Sequence, residues 1–129
     1  MIYISAQPDD YYFLWQLQLQ LFNFQQIGIS ATSIHVLIGY SERKGLHPEF
    51  KKFIDTSCDA QFYIYPDRRV DSSYSASIVQ YLIGQHFIQH SFLEEEIIFL
   101  HDSDMIFRER PNIDVLLEDE KWYASYTGS

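Results

Sequence analysis

Basic residues are scarce in this sequence: nine Lys and Arg stand against eighteen Asp and Glu, a formal net charge of −9. That balance argues against nucleic-acid binding, which needs a basic face to meet the phosphate backbone. Phosphorylated small molecules stay open as ligands, because a metal ion held by carboxylates supplies positive charge. Cysteine is nearly absent. A single Cys58 excludes an intramolecular disulfide framework and fits a reducing compartment. With no His partner nearby in sequence, it reads as a small packed side chain rather than a nucleophile. Long apolar runs are missing too, with none approaching the about 20 residues that cross a bilayer. The first residues lack the basic region of a secretory signal, and Asp9 and Asp10 interrupt the apolar positions there. The expectation is a cytoplasmic protein without a transmembrane segment, starting directly on its first strand. Linkers, repeats and low-complexity segments are also lacking, so 1–129 reads as one domain.

What is present is apolar and aromatic. Hydrophobic residues make up 47% and aromatic ones 17%, enough for a globular core with rings to spare for a ligand cleft. Ile2 to Ala6 reads as a first strand, and Gln7-Pro8-Asp9-Asp10 as a loop whose aspartates are placed to accept from the orphan amides of a helix. The next segment, Tyr11 to Gln26, carries two periods at once. Trp15 to Leu21 alternates as a strand would, yet Leu14, Leu17, Leu21 and Phe24 form a helical stripe. Length, the Asp start and Gly28 as a stop decide for a helix.

Ile34 to Tyr40 is apolar on both faces and predicts a buried second strand, with His35 as a hydrogen-bonded core residue. A short helix follows from about Pro48 to Ile54, then a third strand from Gln61 to Tyr65 closed by Pro66. Arg68 and Arg69 either reach phosphates or pair with Asp67 and Asp71 on a solvated surface, the second being the commoner use. Tyr74 to His90 gives the longest helical pattern. His86 and His90, at i and i+4, lack a third ligand in register and read as solvent-facing. After Phe107, a helix from Ile113 to Glu120 and a strand from Trp122 to Tyr126 complete the alternation. Strand and helix alternating throughout predict an α/β fold, a mostly parallel sheet with helices on both faces.

The most informative stretch runs from Glu96 to Phe107. Ile97-Ile98-Phe99-Leu100 suits a strand buried in the middle of a sheet, and Asp102-Ser103-Asp104 follows directly. Open α/β sheets place their ligands at such carboxyl ends. Residues i and i+2 on extended backbone point the same way, roughly 6.5 to 7 Å apart. Their carboxylates can close on one cation, or on a cation and a ribose hydroxyl. Left unpaired they repel, so the pair asks for a metal. The alternative is that Asp102 and Asp104 cap a turn or the next helix.

An apolar strand ending in Asp-X-Asp, preceded by a helix carrying Gln80-Tyr81-Leu82, resembles the metal-binding segment of GT-A-fold glycosyltransferases, which use nucleotide-sugar donors. The likeness extends more loosely over nearly all of the chain. It implies a Rossmann-like nucleotide-sugar-binding half, in which Ser5, Ala6, Gln7, Tyr74, Ser77, Asp102 and Ser103 would hold a nucleotide-diphospho-sugar donor. Asp104, with Asp102, would bind Mn²⁺ or Mg²⁺, Asp102 serving the ribose or a second metal contact. The turn before the equivalent helix often carries Arg or Asn in that family, whereas Ser73 or Ser77 stands near that place here. The acceptor, whether sugar, protein or lipid, is unspecified, and no residue reads as the catalytic base. In the family, the acceptor platform follows the strand this sequence is just completing. The chain is therefore expected to be truncated at its C-terminal end and inactive in isolation. Two other readings compete: a non-catalytic nucleotide-binding module of the same fold, and a haloacid-dehalogenase-like phosphohydrolase. The latter places its Asp-X-Asp near the N-terminus with Thr or Val two residues on, where Ile106 stands here.

Overall fold

A computed structural model describes residues 1–69 and 77–103. Strands β1 (Ile2–Pro8), β2 (Ile34–Tyr40), β3 (Gln61–Pro66) and β4 (Ile98–Leu100) form one sheet in the order β3-β2-β1-β4. Every pairing is parallel, with Tyr3 opposite Ile34 on one side and Phe99 on the other. Between them run helices α1 (Tyr11–Gln26), α2 (Pro48–Thr56) and α3 (Ser77–Gln89), with short 3₁₀ turns at Ala31–Ser33 and Ser91–Glu95.

Side chains alternate across a strand, so each strand feeds two cores. On one face Tyr3, Val36, Ile38 and Phe99 pack against Leu14, Leu17, Leu21 and Phe24 of α1 and Phe50 of α2. On the other, Ile4, Leu37, Tyr65 and Ile98 pack against Ile78 and Leu82 of α3. Helices thus cover both faces of a parallel sheet, an α/β arrangement consistent with a Rossmann-like fold.

The helical stripe of α1 is the one that its leucines mark, and its ends are chemically defined. Asp10 caps the start by accepting from the Tyr12 amide at 2.9 Å. At the other end the Ile29 amide donates to the Phe24 carbonyl and the Gly28 amide to that of Gln25, a Schellman closure. Gly28 takes φ +84°, which only glycine adopts cheaply. Gly39 in β2 leaves room of a different kind: a Cβ there would stand 2.9 Å from Ile78 Cδ1, so that side-chain end would have to shift. Helix α3 lies directly on that strand.

Strand β4 departs from expectation. It is an edge strand among the described residues rather than a central one, and it starts at Ile98. Glu94, Glu95, Glu96 and Ile97 are exposed ahead of it, the Ile97 carbonyl accepting from the Ile2 amide at 2.8 Å, while buried Leu93 anchors the preceding turn. The predicted elements from Ile113 to Glu120 and from Trp122 to Tyr126 lie outside the described residues, as does the start of the helix predicted from Tyr74. No helix among the described residues is long and apolar enough to cross a membrane.

Candidate functional site

The chain reverses direction across the sheet at β1: the connections through α1 and α2 lead to β2 and β3, and the one through α3 returns to β4 on the opposite side. Loops at such a switch point diverge and leave a crevice at the carboxyl ends of the strands. A cavity of about 510 Å³ opens there. Ala6, Gln7 and Pro8 at the end of β1 form its floor, and Asp10, Tyr12, Phe13 and Gln16 of the cap and helix α1 form one wall. Ile78 and Val79 of α3 stand opposite, and Asp102 and Ser103 after β4 close the remaining side.

The loop after β4 is held by two glutamines of α1. Gln20 Nε2 donates to the Asp102 carbonyl at 2.7 Å, and Ser103 Oγ donates to Gln16 Oε1 at 2.7 Å. Gln16 and Gln20 are i and i+4, on one helix face and both buried. His101 adds a third restraint. Its Nδ1–H donates to the Asp102 carbonyl at 3.1 Å while the ring packs among Tyr3, Phe24 and Phe99. Burial pushes its pKa down to about 4, so the imidazole is neutral. With its carbonyl tied down twice, Asp102 is an exposed residue in the lining of the cavity, and no side chain among the described residues bonds to its carboxylate. The Gln-rich alternation of α1 is the signal that points to this clamp, although read as secondary structure it only mimics a strand.

At the floor, Gln7 is buried with its Nε2 donating to the Leu37 carbonyl at 2.8 Å. Its Oε1 finds no hydrogen-bond partner among the described residues. An unsatisfied buried acceptor is unfavourable, and one beside a cavity is a natural partner for an N–H of a ligand.

The structure therefore gathers Ala6, Gln7, Asp102 and Ser103 of the predicted donor-binding residues around one cavity. Ser5 is not among its lining: it is buried two residues back along β1, with its hydroxyl under the α1 side of the sheet. Tyr74 and Asp104 lie outside the described residues, and of Ser77 only the backbone is described, at the first turn of α3. Among the described residues no group of three His, Cys, Asp or Glu side chains is arranged to hold a metal. The two arginines stand elsewhere. Arg69 forks onto Asp67 through Nε and Nη2 at 2.8 and 2.7 Å, and Arg68 meets Glu42 at 2.8 Å. The Asp67 carboxyl is held below its usual range by that hydrogen bond. Cys58, expected to be packed, is exposed after the end of α2.

The histidines correct a second expectation. His35 is a core residue as predicted, but His86 faces inward, not to solvent, and is fully buried. His86 Nε2 lies 2.9 Å from His35 Nδ1, and its Nδ1 lies 2.6 Å from the Tyr65 hydroxyl. Tyr63 packs on all three imidazoles of His35, His86 and His90. Burial, reinforced by neighbouring imidazoles, lowers His35 to about 4 and His86 to about 3. Burial and the neighbouring Tyr63 push Tyr65 up to about 12. All three groups are neutral at pH 7, so each bond in the row uses one shared proton. This cluster sits beneath α3, away from the cavity, and serves the fold rather than a ligand.

Compared with known proteins, the chain matches no family model, no curated protein and no solved structure.

Proposed function

We propose that this chain is the nucleotide-diphospho-sugar-binding part of a metal-dependent glycosyltransferase with a GT-A-like fold. The observation that carries the reading is an exposed aspartate, Asp102, in the lining of the switch-point cavity, on a loop fixed by Gln16, Gln20 and His101. Its chemistry suits a hard cation. Mg²⁺ and Mn²⁺ take oxygen donors, and Mg²⁺ in particular binds one or two carboxylates together with substrate phosphates rather than a complete protein cage. A donor set of Asp102 and Asp104, completed by a diphosphate, fits that habit. When bound, such an ion offsets the negative charge of a nucleoside diphosphate in an acidic protein.

The other lining residues have complementary tasks. The Gln7 amide offers an acceptor to a base or sugar N–H, and Tyr12 and Phe13 present ring surface. Ile78 and Val79 keep one side apolar, which excludes water from the diphosphate. The acceptor would be a sugar, protein or lipid. A second reading, a nucleotide-binding module without turnover, is favoured by the lining itself. Of its two carboxylates, Asp10 is engaged in capping α1, which leaves Asp102 without a companion base among the described residues.

Thermal unfolding with UDP, GDP or CDP, with and without Mn²⁺, separates these readings. At a tenfold excess over Kd, binding to the folded state alone contributes about 1.4 kcal/mol, a rise of about 5 °C for a chain of this length. A rise that requires Mn²⁺ and disappears in Asp102→Ala supports the donor site. A rise independent of metal favours the plain module, and no rise with any nucleotide ends both.

A further inference from the structure

We infer that the chain self-associates through the outer face of α1, as an antiparallel dimer with two-fold symmetry. Tyr12, Trp15, Leu19 and Phe22 are 59%, 53%, 51% and 59% exposed, and they follow one another at intervals of three, four and three. That spacing lays the four side chains in one stripe, opposite the buried leucines, in the pattern helices use to pack on helices. Aromatic side chains of this size in one exposed row exceed the scattered apolar residues of an ordinary surface. Among the described residues, no other element covers them.

Charge and symmetry select a second copy as the occupant. At a net charge of −9 two copies repel at long range, and a contact surface carrying charges of that sign would add close repulsion to it. All sixteen residues of α1 are uncharged, so this face brings the copies together without opposing like charges. Helix α3 is also uncharged, but its exposed Val79 and Ile88 are far apart and form no stripe. The stripe is moreover symmetric about Leu17. Set antiparallel across a two-fold axis, Tyr12 of one copy meets Phe22 of the other, and Trp15 meets Leu19, each pair formed twice. An isologous interface demands this self-complementarity. Four half-exposed side chains per copy, at roughly 100 Å² each, remove about 800 Å² in total, a small interface. Association is therefore expected at high concentration only, between about 10 µM and 1 mM. Because Tyr12 also lines the switch-point cavity, the contact runs up to the cavity mouth.

Sedimentation velocity from about 10 µM to about 1 mM, with circular dichroism to confirm folding, tests the assignment. The wild-type chain should shift from monomer to dimer across that range. Trp15→Glu and Leu19→Lys should each remain monomeric, raising the apparent Kd at least tenfold. The double variant should recover association, since the introduced carboxylate of one copy then faces the introduced ammonium of the other in both symmetric contacts. Tyr12→Lys with Phe22→Glu repeats the test at the outer pair if either first variant unfolds. A wild-type chain that stays monomeric at the top of the range, single variants that dimerise as wild type does, or a double variant that stays monomeric would each overturn the proposal.

Discussion

A single amide shows how much of a residue's setting is hidden from the sequence. Gln7 reads in sequence as the first loop residue after Ala6, whereas β1 runs on through it to Pro8 and carries it to the edge of the crevice. That one end of the amide is bonded to Leu37 and the other is unsatisfied depends on how β2 registers against β1. Neither register nor a missing partner is written locally. The same holds for Gln16 and Gln20, since glutamine is seldom buried and only contact with the loop after β4 explains both. The unsatisfied acceptor leads to a specific expectation. Gln7→Met keeps the volume, removes one hydrogen bond and removes the unpaired oxygen as well. These effects partly offset, so stability should change by less than about 1 kcal/mol. If Oε1 receives a ligand N–H, however, nucleotide affinity should fall about tenfold or more, because the lost group is one built to bond its ligand. Urea unfolding and calorimetric titration on the same variant separate the two effects. A large stability loss with unchanged affinity would return Gln7 to the core.

Elements were far more legible than side-chain contacts. Strand β2 spans Ile34–Tyr40 as its apolar run predicts, and α1 spans Tyr11–Gln26 between the Asp and Gly that bound it. Both carry strong local chemistry at each end. Strand β4 was less legible because Ile97, apolar in sequence, stays outside the strand with its side chain partly in water although its carbonyl accepts from the Ile2 amide. Helix α3 hides its inward histidine for a related reason. His86 reads as polar and outward until His35 and Tyr65, on two other strands, supply its partners. The fit of α3 on β2 is equally invisible in sequence and can be probed directly. In Gly39→Ala the new methyl meets Ile78 Cδ1 at 2.9 Å and Leu82 at 3.1 and 3.2 Å. Overpacking of this kind costs about 1–3 kcal/mol. Ile78→Val removes the closest atom and by itself costs about 0.5–1.5 kcal/mol. Together the two should cost less than their sum, and a denaturant double-mutant cycle reads the difference. Strict additivity would show that α3 moves away from the strand instead of accommodating the methyl.

For the molecule as a whole, the buried histidines tie stability to pH over a window separate from that of the carboxylates. His35 and His86 titrate near 6.5 when unfolded, and burial lowers them to about 4 and about 3 in the fold. Above pH 6.5 both states carry neutral imidazoles and stability does not depend on these groups. As pH falls below 6.5 the unfolded chain takes up protons that the folded chain refuses, so stability declines toward about pH 4. Each group can contribute up to about 1.4 kcal/mol per pH unit in that window. The salt-bridged carboxyls of Asp67 and Glu42 are lowered by their arginines, so their contributions persist until more acidic conditions and do not mimic the effect. Urea midpoints measured from about pH 8 to about pH 4.5 should be level above about pH 7 and fall steadily below about pH 6.5. Replacing the row together, as His35→Leu, His86→Leu and Tyr65→Phe, removes every partner at once and leaves no single polar atom stranded, which limits the loss at about pH 7.5. That triple variant should lose the larger part of the slope between about pH 6.5 and about pH 4.5, while His101, which burial also lowers to about 4, keeps the remainder. If it keeps the wild-type slope, the acid sensitivity originates in other groups, and the two imidazoles are protonated in the fold as readily as in the unfolded chain.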